Sequence, residues 1–184
     1  KPDYAEALYN LGNVFRDMED YLQASKSYTK SLVSNPSNPN VYLNLAVILN
    51  NMSKNGLSET NYKRAIRITP EYPEIHFNMG NLLAELKKEQ NAIASYKRAI
   101  LLNPNYADAN DNLGNLYNKM GKFCLAIKRF DSSHSVGATA KSLECLFKLG
   151  KYKECISRID KHTSHNGSDI HTAAVSAFLA SQLD

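Results

Sequence analysis

The 184-residue chain contains little of what marks secreted, disulfide-stapled or membrane-spanning proteins. It has three cysteines and no tryptophan. An odd, small cysteine count argues against a disulfide framework and is typical of a reducing compartment. No apolar run approaches the ~20 residues that cross a bilayer, and Lys1-Pro2-Asp3-Tyr4 lacks the apolar core of a secretory signal. We therefore expect a cytoplasmic protein with no membrane partner.

The composition that remains is that of a folded chain. Hydrophobic residues make up 43% and charged residues 22%, which excludes the polar composition of disordered segments. The formal net charge of +4 is too small to indicate nucleic-acid binding by itself. Where the charges lie is therefore more informative than their sum.

Proline, aromatic and small residues recur every 34 positions. The rows are Pro2, Pro36, Pro70 and Pro104; Tyr28, Tyr62, Tyr96 and Phe130; Gly12, Ala46, Gly80 and Gly114; Ala24, Ser58, Ala92 and Ala126; and Ser31, Ala65, Ala99 and Ser133. Five rows in one register predict an array of structural repeats.

Each repeat has the pattern of two helices. Leu8, Leu11 and Phe15 share one helical face, and the small and aromatic residues of the second half share another. Asn38 is a good N-cap for the next unit, and Pro39 suits its first turn, where no N–H is needed. Small residues in the first helix would let the two helices approach closely, with the aromatic filling the remaining space.

The turn between the two helices varies. It falls at Glu19-Asp20 in the first unit and at Gly121 in the fourth. The second unit has Asn55-Gly56 slightly later, and the third has Lys87-Lys88.

The unit Ala5-Glu6-Ala7-Leu8-Tyr9-Asn10-Leu11-Gly12-Asn13, followed by Tyr21, Ala24, Tyr28 and Pro36, resembles the tetratricopeptide repeat (TPR). The resemblance implies an all-α fold, a right-handed superhelical solenoid of antiparallel helix pairs. It also implies that the first helices line a concave groove and the second helices a convex face.

The repeats divide the chain as follows: residues 1–4, the tail of a preceding repeat; 5–38, 39–72, 73–106 and 107–137, four repeats; 138–167, a degenerate hairpin; and 168–184, the first helix of an incomplete repeat. We therefore expect a fragment of a longer array whose exposed ends can self-associate.

The resemblance places two asparagine rows in the groove. Asn10, Asn44, Asn78 and Asn112 form one, and Asn13, Asn81 and Asn115 form another that is broken only by Val47. They resemble the asparagine ladder of O-GlcNAc transferase-type arrays, which holds polypeptide backbone, since an amide offers both donors and an acceptor. Alternatively, these asparagines cap or bridge neighbouring first helices. The candidate peptide-binding residues are Tyr9, Asn10, Asn13, Asn44, Phe77, Asn78, Asn81, Asp111, Asn112 and Asn115.

The charges divide between the two faces. The expected groove is acidic, which favours a neutral to basic protein or peptide ligand. The second helices carry basic pairs, Lys63-Arg64, Lys97-Arg98 and Lys128-Arg129, which indicate a solvated outer face or, alternatively, an anionic partner. No aromatic is interleaved for base stacking, so we expect no nucleic acid. The groove has no lysines where chaperone-binding members of the family clamp a terminal carboxylate: that position reads Tyr9, Leu43, Phe77 and Asp111.

Catalytic and metal signals are weak. His162, His165 and His171 follow Cys145 and Cys155 in what reads as a polar loop, but their spacing fits no zinc site. No phosphate loop or nucleophile motif is present, and Cys155 suits core packing. We expect no cofactor, no metal and no catalysis within this chain.

Two functions follow. The first is a protein–protein interaction scaffold that binds an extended polypeptide in its concave groove. The second is the substrate-recruiting TPR arm of a larger transferase or oxygenase whose catalytic domain lies outside this sequence.

Overall fold

The computed structural model describes residues 2–135 and 137–166, with side chains for 4–135 and 137–159. These residues form ten α-helices: α1 Pro2–Asp17, α2 Tyr21–Ser34, α3 Pro39–Asn51, α4 Asn55–Ile68, α5 Pro73–Glu85, α6 Glu89–Leu102, α7 Ala107–Lys119, α8 Phe123–Ser133, α9 Ala138–Lys148 and α10 Tyr152–Asn166. The predicted all-α class is confirmed. The helix predicted over residues 168–184 lies outside the described residues.

The chain forms two compact units, residues 1–102 with α1–α6 and residues 103–184 with α7–α10. In the first unit, α1 packs on α2, α3 on α4, and α5 on α6. In the second, α8 packs on both α7 and α9, and α10 packs on α9. Sequential helices thus form the expected antiparallel-type pairs, each burying an apolar stripe that one helix alone would expose.

The starts of four helices coincide with predicted repeat boundaries: α3 at Pro39, α5 at Pro73, α7 at Ala107 and α9 at Ala138. Helices α3 and α5 begin at Pro39 and Pro73, where the missing N–H costs no hydrogen bond. The carboxamide Oδ1 of Asn38 accepts from the backbone N–H of Asn40 at 3.0 Å, which confirms the predicted cap. The first helix begins before the first predicted repeat: α1 starts at Pro2, so residues 2–4 are helical.

The predicted close contact between small and aromatic residues is present in three repeats. A Cβ on Gly12 would lie 2.4 Å from Cε1 of Tyr28, and one on Gly80 would lie 2.6 Å from Cε1 of Tyr96. In the second unit, a Cβ on Gly114 would lie 2.6 Å from Cε1 of Phe130. Each ring therefore lies directly on the backbone of the first helix, and any larger residue there displaces it.

The core of the first unit joins successive repeats. One buried cluster contains Ala24 and Tyr28 from α2 together with Val41, Ile48 and Leu49 from α3. Residues of two repeats therefore share one apolar core, as expected when a single hairpin cannot bury its own apolar face.

Four turns between paired helices contain one left-handed residue at the same register. These residues are Glu19, Ser53, Lys87 and Gly121, with φ of 59°, 58°, 57° and 70°. Only glycine adopts this conformation without steric cost. The second turn lies earlier in the chain than the sequence indicated. Its left-handed residue is Ser53, whereas Asn55 and Gly56 already lie in α4.

The segment that read as a polar loop is also helical. Helix α10 continues to Asn166, so the backbone at residues 162–166 belongs to a helix. His171 lies outside the described residues.

Gly80→Leu should lower the free energy of unfolding by at least ~1–3 kcal/mol, because its side chain must displace the ring of Tyr96. Gly56→Ala is the matched control, since no atom lies within 4 Å of its Cβ and a helical Gly→Ala change gains up to ~1 kcal/mol. Urea denaturation of both variants measures the difference. Equal stability of the two variants would contradict the close contact.

Lys87→Gly should raise the free energy of unfolding by ~0.5 kcal/mol, because relief of the left-handed strain exceeds the entropy that glycine adds to the unfolded chain. Lys87→Ala removes the same charge and keeps the strain, so it should bring no gain. Thermal melts of the two variants should separate in that order; a gain for alanine that matches the gain for glycine would assign the effect to charge.

Candidate functional site

The candidate residues of the first unit lie on the first helix of each repeat. Helix α1 carries Tyr9, Asn10 and Asn13, α3 carries Asn44, and α5 carries Phe77, Asn78 and Asn81. Asn10 is exposed, and the other six are half-buried. Residues three or four apart share a helix face, so α1 and α5 each present an aromatic ring beside asparagine amides. We call this set of seven residues the first-helix face.

A hydrogen-bond network among four side chains connects the first two repeats. The Tyr28 hydroxyl donates to Asn13 Oδ1 at 2.8 Å. Asn44 Nδ2 donates to the same oxygen at 3.0 Å and to the Tyr9 hydroxyl at 3.2 Å. Asn13 and Asn44 therefore bridge neighbouring first helices, as the alternative interpretation of the asparagine rows predicted.

The tyrosine at the centre of this network keeps its proton. Burial raises the pKa of Tyr28 above its ordinary value, and the opposing charge of Arg16 acts in the other direction. The protonated hydroxyl donates to Asn13 Oδ1, and Asn44 Nδ2 donates to the same oxygen, so the carboxamide oxygen of Asn13 faces the network. The orientation of the Asn13 carboxamide is thereby determined by the network.

The third repeat has the same contact. The Tyr96 hydroxyl donates to Asn81 Oδ1 at 2.8 Å, as Tyr28 does to Asn13. In the second repeat, Tyr62 is the equivalent tyrosine, but Val47 stands at the asparagine position and offers no acceptor. The second asparagine row thus pairs with second-helix tyrosines, a link that the 34-residue spacing of both rows could have indicated.

The candidates of the second unit have different surroundings. Asp111 Oδ2 accepts from Ser135 Oγ at 2.6 Å, while its other carboxylate oxygen is buried without a hydrogen-bond partner among the described residues. Asn112 is half-buried and Asn115 is exposed. Phe130, at the position of Tyr28, has no hydroxyl to donate to Asn115. Asp111 therefore ties α7 to the segment after α8.

Two residues that the sequence analysis did not single out anchor first helices. Nε2 of His76 lies 2.8 Å from the carbonyl oxygen of Pro70, and Asn110 Nδ2 donates to the same position one repeat later, Pro104 O, at 3.2 Å. Both side chains tie the first helix to the preceding turn. Their shared register, 34 apart, was the available signal.

The acidic side chains of the first helices are exposed, with Glu6, Asp17, Glu74 and Glu85 in the first unit. Asn50 Nδ2 donates to Glu85 Oε2 at 2.9 Å, and the Tyr72 hydroxyl donates to Glu74 Oε2 at 2.9 Å. These bonds hold two carboxylates on the first helix of the third repeat, where they can meet cationic ligands.

The basic residues of the second helices are accessible: Lys63, Arg64, Lys97, Arg98 and Lys128 are exposed and Arg129 is half-buried. Lys63 Nζ lies 2.7 Å from Glu59, and Lys88 Nζ lies 2.8 Å from the same carboxylate. Hydrogen bonds from the two lysines hold the pKa of Glu59 below its ordinary value. Glu59 is thus the centre of a local ion-pair network with Lys63 and Lys88.

The two buried cysteines, Cys145 and Cys155, are not activated as nucleophiles. Burial raises the pKa of the Cys145 thiol to about 11 and also raises the pKa of Cys155. Cys155 is 1% exposed, so the structure places it in the core as the sequence indicated. Within the described residues, no group of three or more His, Cys, Asp or Glu side chains is arranged to hold a metal. None of the helices described is both long and apolar enough to span a membrane.

Three models of the tetratricopeptide family match the sequence. A tetratricopeptide repeat model matches residues 5–38, another matches 39–72, and a TPR repeat model matches 60–87 and 80–121. The chain belongs to the tetratricopeptide repeat family. No curated protein matches the sequence.

Solved TPR structures have the same fold. PilF of Pseudomonas aeruginosa aligns at a TM-score of 0.76 with 21% identity, covering 98% of this chain and 85% of PilF. YrrB, described as a TPR protein with an unusual peptide-binding site, aligns at 0.70 with 16% identity over 92% of this chain and 90% of YrrB. The first TPR domain of Spaghetti (RPAP3), solved with an HSP90 peptide, aligns at 0.63 with 24% identity over 65% of this chain and 95% of that domain. At these identities the likeness shows the fold.

Tyr28→Phe should lower the free energy of unfolding by ~0.5–1.5 kcal/mol, since it leaves Asn13 without its hydroxyl donor. Tyr62→Phe is the control, because Val47 offers its hydroxyl no acceptor, and it should cost less. Denaturant titration of both variants gives the difference. Equal losses would show that Asn13 does not make the hydrogen bond in solution.

Proposed function

We propose that this TPR chain is a non-catalytic scaffold that binds an extended polypeptide along its first-helix face. The observation that carries the proposal is the oriented pair Asn13 and Asn44. Asn13 Oδ1 is occupied by Tyr28 and Asn44, while Asn44 uses its Nδ2 for Asn13 and Tyr9. Asn13 thus engages its oxygen in the network and Asn44 engages its nitrogen.

This orientation supplies a donor and an acceptor for a ligand. Asn13 Nδ2 has no partner among the described residues, so its two hydrogens suit a peptide carbonyl. Asn44 Oδ1 lies on the opposite side of its carboxamide from the engaged Nδ2, so it suits a peptide N–H. Side chains held before binding lose little conformational freedom when a ligand arrives.

The neighbouring candidates extend the same face. Asn10 is exposed, and Asn78 is the equivalent amide two repeats later. The half-buried rings of Tyr9 and Phe77 lie 6.0 and 6.2 Å from Tyr28 and Tyr96, centroid to centroid. Rings that are packed on one side and open on the other give a polypeptide an apolar contact beside the amides.

The exposed acidic residues favour ligands that carry lysine or arginine. Because such charges attract through solvent, the affinity should fall as salt rises. The peptide sites of the YrrB and RPAP3 structures support a peptide partner for this fold. We infer a neutral to basic ligand for the first-helix face.

The test separates ligand contacts from structural ones. Asn13 and Asn44 hold the two repeats together, so their removal would disturb both functions. The ligand test is therefore the double change of Asn10 and Asn78 to Ala, and the outer-face control is Lys97→Ala with Arg98→Ala. The probe is a linear peptide selected from a displayed library on the unaltered protein.

The Asn10 and Asn78 double variant should weaken peptide binding by about tenfold, at ~0.5–1.5 kcal/mol for each amide, with an unchanged melting temperature. The outer-face control should bind normally. Isothermal titration at low and high salt measures both effects. Normal affinity of the asparagine variant would remove the first-helix face as the site.

A further inference from the structure

A second open surface lies between the second helices of the first two repeats. It has a volume of about 440 Å³, within the range of ligand pockets. Both α2 and α4 pack on α3, so α3 is its floor. Its lining residues are Ser25, Thr29, Leu32, Val33, Tyr42, Leu45, Leu49, Lys54, Leu57, Asn61 and Arg64. We call this set the second-helix groove.

The groove is apolar inside. Leu45 and Leu49 on its floor are 7% and 5% exposed and belong to the shared core. On its walls, Val33 is 82% exposed and Leu57 is 56% exposed. An apolar ligand side chain placed between these walls would cover surface that now faces water.

The rim of the groove has one sign of charge. Lys54 and Arg64 line it, and no carboxylate does. Lys54 has no ion-pair partner among the described residues, and Arg64 has only the ring of Tyr42, 5.9 Å from its Cζ. The second-helix groove therefore presents an apolar cleft with two cations available to an anionic ligand.

The next repeat has different residues at the same register. Glu59 stands 34 residues after Ser25, and Lys88 stands 34 after Lys54; their side chains form an ion pair at 2.8 Å. The wall positions equivalent to Val33 and Leu57 are Arg67 and Asn91. In the third repeat, Lys88 is neutralised by Glu59 and the equivalent wall residues are polar. In the second repeat, Lys54 has no ion-pair partner among the described residues and the walls, Val33 and Leu57, are apolar.

We propose that the second-helix groove docks a short acidic segment of a partner protein, with a leucine-like side chain between Val33 and Leu57. Carboxylates flanking that side chain pair with Lys54 and Arg64. Charge complementarity selects this occupant, since a basic or purely apolar segment would leave both cations unmatched. The site is separate from the first-helix face and has the opposite charge preference.

The probe is a blocked synthetic peptide in which aspartates and glutamates flank two leucines. Two matched peptides replace its leucines by serine or its acids by lysine. Fluorescence anisotropy should show binding of the first peptide and at least about tenfold weaker binding of each of the others. Absence of binding by the acidic leucine peptide, or equal binding of the lysine peptide, would overturn the proposal.

The chain supplies its own test variant. Ser25→Glu copies Glu59 and gives Lys54 the partner that Lys88 has, so binding should weaken by about tenfold. Leu57→Asn introduces the residue found at the equivalent position, Asn91, on an exposed wall. It should weaken binding by removing apolar contact, with no change of charge. Circular dichroism checks that both variants keep their helices.

Glu59→Ser is the matched control. It frees Lys88 beside polar walls and should leave binding unchanged, whereas a change equal to that of Ser25→Glu would show a non-specific charge effect and overturn the site. The Asn10 and Asn78 double variant should bind the acidic peptide normally. The two surfaces can thus fail independently.

Discussion

The contact between a glycine of the first helix and an aromatic ring of the second determines much of the remaining geometry. At Gly12 the absent Cβ lets the ring of Tyr28 lie against the helix backbone. The hydroxyl of that ring then reaches Asn13, the next residue along α1. The close approach of α1 and α2 and the orientation of the Asn13 carboxamide both depend on this contact. A larger residue at position 12 would move the ring of Tyr28 and its hydroxyl together.

The repeats differ where this contact differs. Tyr28 and Tyr96 each donate to an asparagine, while Val47 and Phe130 each remove one partner of the pair. The second helices vary independently of this contact, with Ser25 on α2 and Glu59 on α4 at the same register. A repeat protein tolerates such variation because each unit contacts mainly its neighbours, so a local change alters one surface and leaves the array folded. This freedom allows exposed carboxylates on the first helices and the cations Lys54 and Arg64 in the second-helix groove.

The 34-residue period was sufficient to predict the helix pairs, the glycine–aromatic contact and the cap at Asn38, because these depend on local sequence and on spacing. It was insufficient to decide whether Asn44 contacts a ligand or bridges neighbouring first helices. Its hydrogen bonds to Tyr9 and Asn13 depend on side chains that lie 35 and 31 residues away. The left-handed Ser53 was missed because the nearby Gly56 offered a more familiar turn signal. The second-helix groove depends on Ser25 and Lys54, which differ from the next repeat in size or in pairing. A 34-residue pattern of similar residues therefore does not predict it.

Hydrogen exchange of the asparagine side-chain amides, followed by NMR, tests the central claim most directly. The hydrogen-bond network requires that Asn44 Nδ2 hydrogens exchange slowly, because they are held by Asn13 and Tyr9. Asn13 Nδ2 hydrogens have no partner among the described residues and should exchange faster. Added peptide ligand should then slow exchange at Asn13. The reverse pattern in the unliganded protein, with Asn13 protected and Asn44 open, would contradict the orientation on which the proposed peptide site depends.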